Sequence, residues 1–327
     1  MDRERLERYL RDRLGGPVSI VSLSRFAMGL SRQTWFVRLS DREIVVRCNL
    51  PGGASSVPQT QEFEYEMYRR LADTSVPVPR ALWDEAEPAG IGQPFYVREM
   101  IDGTPDVPHF EDPDPRYDDV RIEVAREHAR RLAAVHALDW RALGLDSIMP
   151  APASAAASGV AAIDRIQATI DGVGIEAQPL IAEICDRLRA SAPPGPARVM
   201  LCKGSNGAMQ EVWRDGRIVA MCDWELASLG DPASDWARCQ GYVVEIPGRW
   251  TARDQLEYYR EISGNAISDR SLAWYRQVYA LEMIGVGMHS VRPIVDGSLL
   301  DARLALLSTA PIATFVRRLA TELGIVR

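Results

Sequence analysis

The spacing of apolar residues changes once along this chain, and that change limits what it can fold into. Between residues 20 and 100, apolar side chains fall in short runs rich in β-branched and aromatic types. Such runs predict strands at 20–26, 34–39, 43–48, 80–83 and 94–100, with Ser40-Asp41-Arg42 as a hairpin turn. One helix is expected among them, over 60–71. Phe63, Met67 and Leu71 share a face there, and Glu62, Glu64 and Glu66 sit early, where the helix dipole favours negative charge. Pro77 and Pro79 end that stretch. Residues 103–119 have the Pro and Asp content of a loop. From residue 120 the period is helical, beginning with 120–136, where Ile122, Ala125, Ala129 and Leu132 line one face. Connectors are expected at 150–158 and 192–196, with two helical segments between them. A hairpin interrupts the helices. Glu211-Val212-Trp213-Arg214 and Arg217-Ile218-Val219-Ala220-Met221 flank Asp215-Gly216, a dipeptide suited to a two-residue turn. The expected architecture is α+β: a small β-rich lobe over 1–103, then a larger helical lobe over 104–327.

Composition narrows the function. With 327 residues, 46% of them hydrophobic, the chain can bury two cores. A formal net charge of −7 argues against a broad nucleic-acid surface. The charged start, Met1-Asp2-Arg3-Glu4-Arg5, has no apolar core of a secretion signal, and no apolar run is long enough to span a membrane. The five cysteines are scattered and lack CxxC spacing, which fits free thiols in a reducing cytoplasm. The four histidines form no HExxH-like pairing, so a histidine metal site is not expected. A homodimer is left open.

The most specific segment is Asp223-Trp224-Glu225-Leu226-Ala227-Ser228-Leu229-Gly230-Asp231-Pro232-Ala233-Ser234-Asp235. It closely resembles the D-W-E-x-A-x-x-G-D-P-x-x-D stretch of the aminoglycoside phosphotransferase family, a choline kinase-like group, including its acyl-CoA-dehydrogenase-associated branch. That resemblance implies a two-lobed protein-kinase-like fold, ATP or another nucleoside triphosphate, and Mg²⁺. It makes Asp223 the metal-binding carboxylate and Asp235 a brace for the catalytic loop, with Asp231-Pro232 starting a helix. Further matches follow in chain order. Gly29 and Ser31 fall in the nucleotide-covering turn, where Arg32 replaces the usual Asn. Arg47 takes the place of the cation on the α- and β-phosphates, and Glu64 that of its partner on the helix. The backbone from Glu99 to Ile101 matches the hinge that meets adenine. His136 matches a helix-end histidine with a packing or capping role.

The catalytic loop departs from the family pattern H-G-D-x-x-x-x-N. At the same spacing from Asp223 stands Lys203-Gly204-Ser205, and Gln210 replaces the Asn that helps hold metal. The catalytic candidates are therefore Lys203, Ser205 and Glu211. Lys203 would add positive charge beside the phosphoryl group, and Glu211 would be a relocated base if the chain turns it inward. Gln210 or Glu211 would join Asp223 at the metal, and strand alternation turns neighbouring side chains to opposite faces. This loop is compatible with phosphoryl transfer to a small-molecule hydroxyl, with an inactive pseudokinase-like binder, or with another transfer such as nucleotidylation. Trp250, Tyr258, Tyr259, Trp274, Tyr275 and Tyr279 are candidates for the acceptor side, although aromatics at helical spacing usually belong to a core.

Overall fold

A computed structural model describes residues 1–26, 32–49, 59–86, 88, 90–174, 178–295, 297 and 302–326, without the side chains of 240, 241, 293 and 302–311. Helix α1 (Arg3–Leu14) opens the chain, followed by β1 (Ile20–Arg25), β2 (Arg32–Leu39) and β3 (Glu43–Asn49). Helix α2 (Gln61–Leu71), β4 (Ala81–Glu85) and β5 (Phe95–Glu99) complete the first lobe. The strands form one antiparallel sheet in the order β1-β2-β3-β5-β4.

Alternation along the strands sorts the side chains into two environments. Ile44, Val46 and Cys48 of β3 join Phe95 and Val97 of β5, and Leu6 and Leu10 of α1 pack on them. The other face carries Arg47 opposite Tyr96 and Val45 opposite Arg98. Tyr96 packs in one core with Met67, Tyr68 and Leu71 of α2. The buried apolar face thus fixes the register that turns Arg47 away from α1; a one-residue slip would reverse it.

The sequence predicts one helix in this lobe, and the described residues form two. Helix α1 is mostly charged, with Leu6 and Leu10 alone buried, so it lacks a wide apolar stripe. Its ends still carry clear signals. The Asp2 side chain accepts the Arg5 N–H, and Gly15 closes the last turn in the left-handed region.

The second part comprises α3 (Asp118–Ala137), α4 (Ala155–Val173), α5 (Pro179–Ala190), β6 (Met200–Cys202), β7 (Glu211–Arg214), β8 (Arg217–Met221), β9 (Ser228–Gly230), α6 (Ala233–Arg238), α7 (Ala252–Ser263), α8 (Asp269–Val295) and α9 (Ala302–Glu322). β6 pairs with β9, and β7 with β8. The β7–β8 turn has positive φ at both Asp215 and Gly216, the geometry their sequence predicts. The expected connector at 150–158 is shorter than its composition implied. Ser154 caps α4 by accepting the Ala157 N–H, and the alanines after it are helical. After β5 the chain is tied to the hairpin: Thr104 and Trp213 exchange backbone hydrogen bonds of 2.9 and 2.7 Å. A side chain at Gly103 would approach the Trp213 carbonyl to 2.6 Å, which explains glycine there. Among the described residues, no helix is long and apolar enough to cross a membrane.

Leu10→Ala removes a fully buried contact between α1 and the sheet. It is expected to lower stability by about 2–5 kcal/mol, read as a lower urea midpoint with an unchanged slope. An unchanged midpoint would contradict the packing described.

Candidate active site

Two loops lie side by side between the short strands. Residues 203–210 join β6 to β7, and residues 222–227 join β8 to β9. The Cys222 N–H donates to the Gln210 carbonyl at 2.9 Å. Gly204 has φ +83°, and a Cβ there would fall 2.1 Å from the Leu226 carbonyl oxygen. No larger residue fits without parting the loops.

Asp235 holds the first loop from beneath. Its carboxylate accepts hydrogen bonds from Lys203 N–H, Gly204 N–H and the Asn206 side chain, each at 2.8 Å. His136 Nε2 lies 3.0 Å from the same carboxylate, and its Nδ1 lies 2.6 Å from the Tyr259 hydroxyl. Burial opposes the Asp235 charge, but the His136 contact and the loop N–H groups outweigh it and hold the carboxyl below its usual range. Asp231 accepts the Ala233 N–H at 2.8 Å just ahead of α6, whose N-cap position falls on Pro232, one residue later than the sequence predicts. His136, Cys202 and Asp235 bring three ligand-type atoms within 4.8 Å of one another. The histidine and carboxylate are spent on these hydrogen bonds, and the Cys202 thiol meets the Asp231 carbonyl.

The second loop carries Asp223 in the left-handed region, at φ 64°. Its N–H donates to the Tyr68 hydroxyl at 3.1 Å, which donates to Glu64 at 3.2 Å. Glu64 also accepts from Arg47 at 2.7 Å. Asp223 Oδ1 lies 3.4 Å from the Arg47 guanidinium. Arg47, Glu64 and Asp223 thus meet as the sequence expected, and Tyr68, one turn beyond Glu64, joins them. Arg32 and Glu225 are further members that sequence reading did not assign to the site. Both are buried, 3.3 Å apart.

Arg47, Ser205, Gln210, Asp223 and Glu225 line one cavity of about 870 Å³, which extends between α4 and α8. Met100 and Ile101 line it after β5. Glu99 does not, and its N–H is spent on the Arg80 carbonyl at 3.0 Å. The Glu99 N–H is thus taken up by the sheet, and its carbonyl accepts from the Arg98 guanidinium at 3.2 Å. Gly29 and Ser31 lie outside the described residues.

Lys203 and Glu211 depart from expectation. Lys203 has no exposed surface, and its amine lies 3.1 Å from Glu211 Oε1 and donates to the Ser205 carbonyl. The Tyr242 hydroxyl donates to the other Glu211 oxygen. Burial pushes the Glu211 carboxyl up, and Lys203 and Tyr242 draw it partly back. The Lys203 amine is therefore no free cation in the cleft; Glu211 lines the cavity, but its carboxylate is paired with Lys203 and Tyr242. His128 stacks on Tyr242 at 3.9 Å, and burial lowers its pKa to about 3, so it is neutral at pH 7. Trp250, Tyr259 and Trp274 are core residues, whereas Tyr275 is buried yet reaches the cavity wall.

The chain belongs to the phosphotransferase enzyme family, whose model matches residues 22–275. Its fold is the two-lobed kinase-like one of solved phosphotransferases. A structure from Ralstonia eutropha JMP134, assigned to the aminoglycoside phosphotransferases, superposes with a TM-score of 0.73 at 22% identity, covering 98% of both chains. Macrolide 2'-phosphotransferase MphH from Brachybacterium faecium gives 0.60 at 21% identity, over 93% of this chain and 96% of that one. Aminoglycoside phosphotransferase APH(4)-Ia, in a complex with ADP and hygromycin B, gives 0.57 at 18% identity, over 95% and 97%. Among sequence relatives, mouse acyl-CoA dehydrogenase family member 10 is 27% identical over 85% of this chain. The probable acyl-CoA dehydrogenase IBR3 of Arabidopsis thaliana is 27% identical over 75%. The chain spans only 25% and 31% of the length of these two relatives.

Two outcomes test the site's electrostatics. Lys203→Met strands a buried carboxylate and is expected to cost about 3–5 kcal/mol, whereas the double variant Lys203→Met/Glu211→Leu recovers most of the loss in urea unfolding. Asp235, with its folded pKa below the unfolded value near ~4, contributes stability above that pH, and the contribution is lost as pH falls through the folded pKa. Asp235→Asn is thus expected to lower stability at pH 7 and flatten the acid limb of the stability–pH curve.

Proposed function

We propose that this protein is a nucleotide-dependent phosphotransferase acting on a hydroxyl of a small molecule, without a carboxylate base. The carrying observation is Arg47, held 2.7 Å from Glu64 and 3.4 Å from Asp223 in the cavity wall. A guanidinium so oriented suits the α- and β-phosphates of a nucleoside triphosphate. Asp223 offers a partly exposed carboxylate to the same cavity, and Gln210 lines it with a side-chain carbonyl that accepts the Gly207 N–H at 2.7 Å and keeps one lone pair for a metal. This oxygen donor set fits Mg²⁺, which commonly takes one or two carboxylates beside phosphates and water. When bound, the ion would neutralise charge on the phosphates. The nucleotide base would lie toward Met100 and Ile101, and Gly29 and Ser31 would cover the phosphates. The ADP complex of APH(4)-Ia supports nucleotide use by this fold.

Ser205 stands at the base position, and a hydroxyl cannot take a proton near pH 7. Phosphoryl transfer still proceeds from positioning and charge stabilisation, because its transition state is loose. General-base help is worth about 10²–10⁴-fold, so turnover by this site is slow. Asp235 and Lys203 act by holding the loop that presents Ser205. The acceptor would enter between α4 and α8, where Ile166, Val278, Met283 and Val286 form an apolar wall beside Arg165. Glu282 of that wall is committed to Arg238 at 2.6 Å. Such a wall favours an apolar acceptor over a polycation, so an aminoglycoside is not the proposed substrate. We place the lobe boundary at Gly103 and the protein in the cytoplasm, where its free cysteines stay reduced.

A second reading, a binder without turnover, is favoured by one observation: the Lys203 and Glu211 charges are sealed against each other. Calorimetric titration with ATP, with and without Mg²⁺, tests the shared premise. Magnesium-dependent binding is expected, and Asp223→Ala is expected to abolish the metal-dependent part. No binding at millimolar ATP would refute both readings. Ser205→Asp is then expected to raise phosphate transfer or slow ATP hydrolysis by about 10²-fold or more; no turnover in either form would leave the binder.

A further inference from the structure

Four buried charges close a ring behind the wall of the cleft, with Arg47 and Glu225 reaching the cavity and Arg32 and Glu64 beneath them. Arg47 lies 2.7 Å from Glu64, Glu64 3.9 Å from Arg32, Arg32 3.3 Å from Glu225, and Glu225 3.7 Å from Arg47. Arg32, Arg47 and Glu64 come from β2, β3 and α2, whereas Glu225 reaches in from the 222–227 loop of the helical lobe. The Arg32 guanidinium is also held by Asn49 at 2.6 Å and the Gln59 carbonyl at 2.5 Å. The Arg32 and Glu64 side chains have no exposed surface, and Glu225 retains 5%.

The ring has a chemical consequence. Two buried guanidinium groups need counter-charge, and the Glu64 carboxylate is shared between them. Glu225 supplies the second carboxylate, touching both arginines at the cavity wall. Asp223 adds a third, 3.4 Å from Arg47. The ring with Asp223 counts two positive and three negative groups, and Arg98, buried in the same cavity wall, adds a further cation beside Arg47. A phosphate approaching Arg47 therefore meets a guanidinium already in contact with three carboxylates, Glu64, Asp223 and Glu225.

Resting on the nucleotide reading above, we propose that Glu225 holds the place of a phosphate between Arg32 and Arg47. Arg32 is then a second phosphate-pairing cation of this cleft, and Glu225 makes the cleft select metal-complexed over metal-free nucleotides. A bare triphosphate must displace Glu225 against the repulsion of Asp223. A metal-complexed one arrives with much of its charge cancelled, and its metal takes up Asp223.

The test is titration of the full chain with ATP in chelator and with MgATP, alongside thermal unfolding, for the unaltered protein, Glu225→Gln and Glu225→Asp. The unaltered protein is expected to prefer MgATP by well over tenfold. Glu225→Gln is expected to tighten metal-free ATP about tenfold or more, narrowing that preference, while its melting temperature falls. Glu225→Asp keeps the charge but withdraws it by one methylene, so it folds more readily and is expected to show a smaller tightening. Weaker or unchanged metal-free binding in the folded variants, with the same loss of melting temperature, would make Glu225 a purely structural residue and overturn the proposal. Equal affinity of the unaltered protein for both nucleotide forms would also overturn it while leaving the nucleotide reading intact. Absence of binding to either form, in every variant, would remove the nucleotide reading itself.

Discussion

The carboxylate of Asp235 sits in a dry interior and keeps its charge because four donors converge on it. Two of these are backbone N–H groups of the loop after β6, one is the Asn206 amide and one is His136. A buried anion without such company would cost several kcal/mol, so the loop and the helix bearing Asp235 must stay together. Because the backbone is gripped from beneath, its path depends little on which side chains it carries above. That separation lets Lys203, Ser205 and Gln210 replace the residues usual in this family while the spacing to Asp223 stays unchanged.

The substitutions are also matched to their surroundings. A lysine at the first loop position would be untenable in a closed interior without Glu211, and Glu211 would be untenable without Lys203 and Tyr242. The same logic governs Arg32, whose charge is met by Glu64 and Glu225. Each unusual cation in this protein has acquired an acid from another element. A loop that had merely decayed would not be expected to keep such pairings.

How much of this was legible in the chain depended on range. The β7–β8 hairpin was legible because Asp215-Gly216 states its turn locally. Strand alternation and the 3.6 period located β1 to β5, α2 and α3 to within a few residues. Arg47, Glu64 and Asp223 were found through the spacing of a family pattern, and the fold brought them together. The Lys203–Glu211 pair was not legible, because strand alternation says that one of two neighbours turns inward but not which. Arg32 and Glu225 were out of reach for another reason: they belong to different lobes, and only the closed cleft brings them together. Helix α1 was hidden because its stability comes from two leucines on a sheet rather than from a pattern of its own.

The Thr104–Trp213 bridge has a mechanical consequence. Once past Gly103 the connecting strand is stitched to the hairpin of the helical part, and α2 shares a core with that part through Met67, Tyr68 and Leu71. The sheet lobe is therefore fastened at two well-separated places, like a lid with both a hinge and a clasp. Wide jaw-like gaping would have to break one of them.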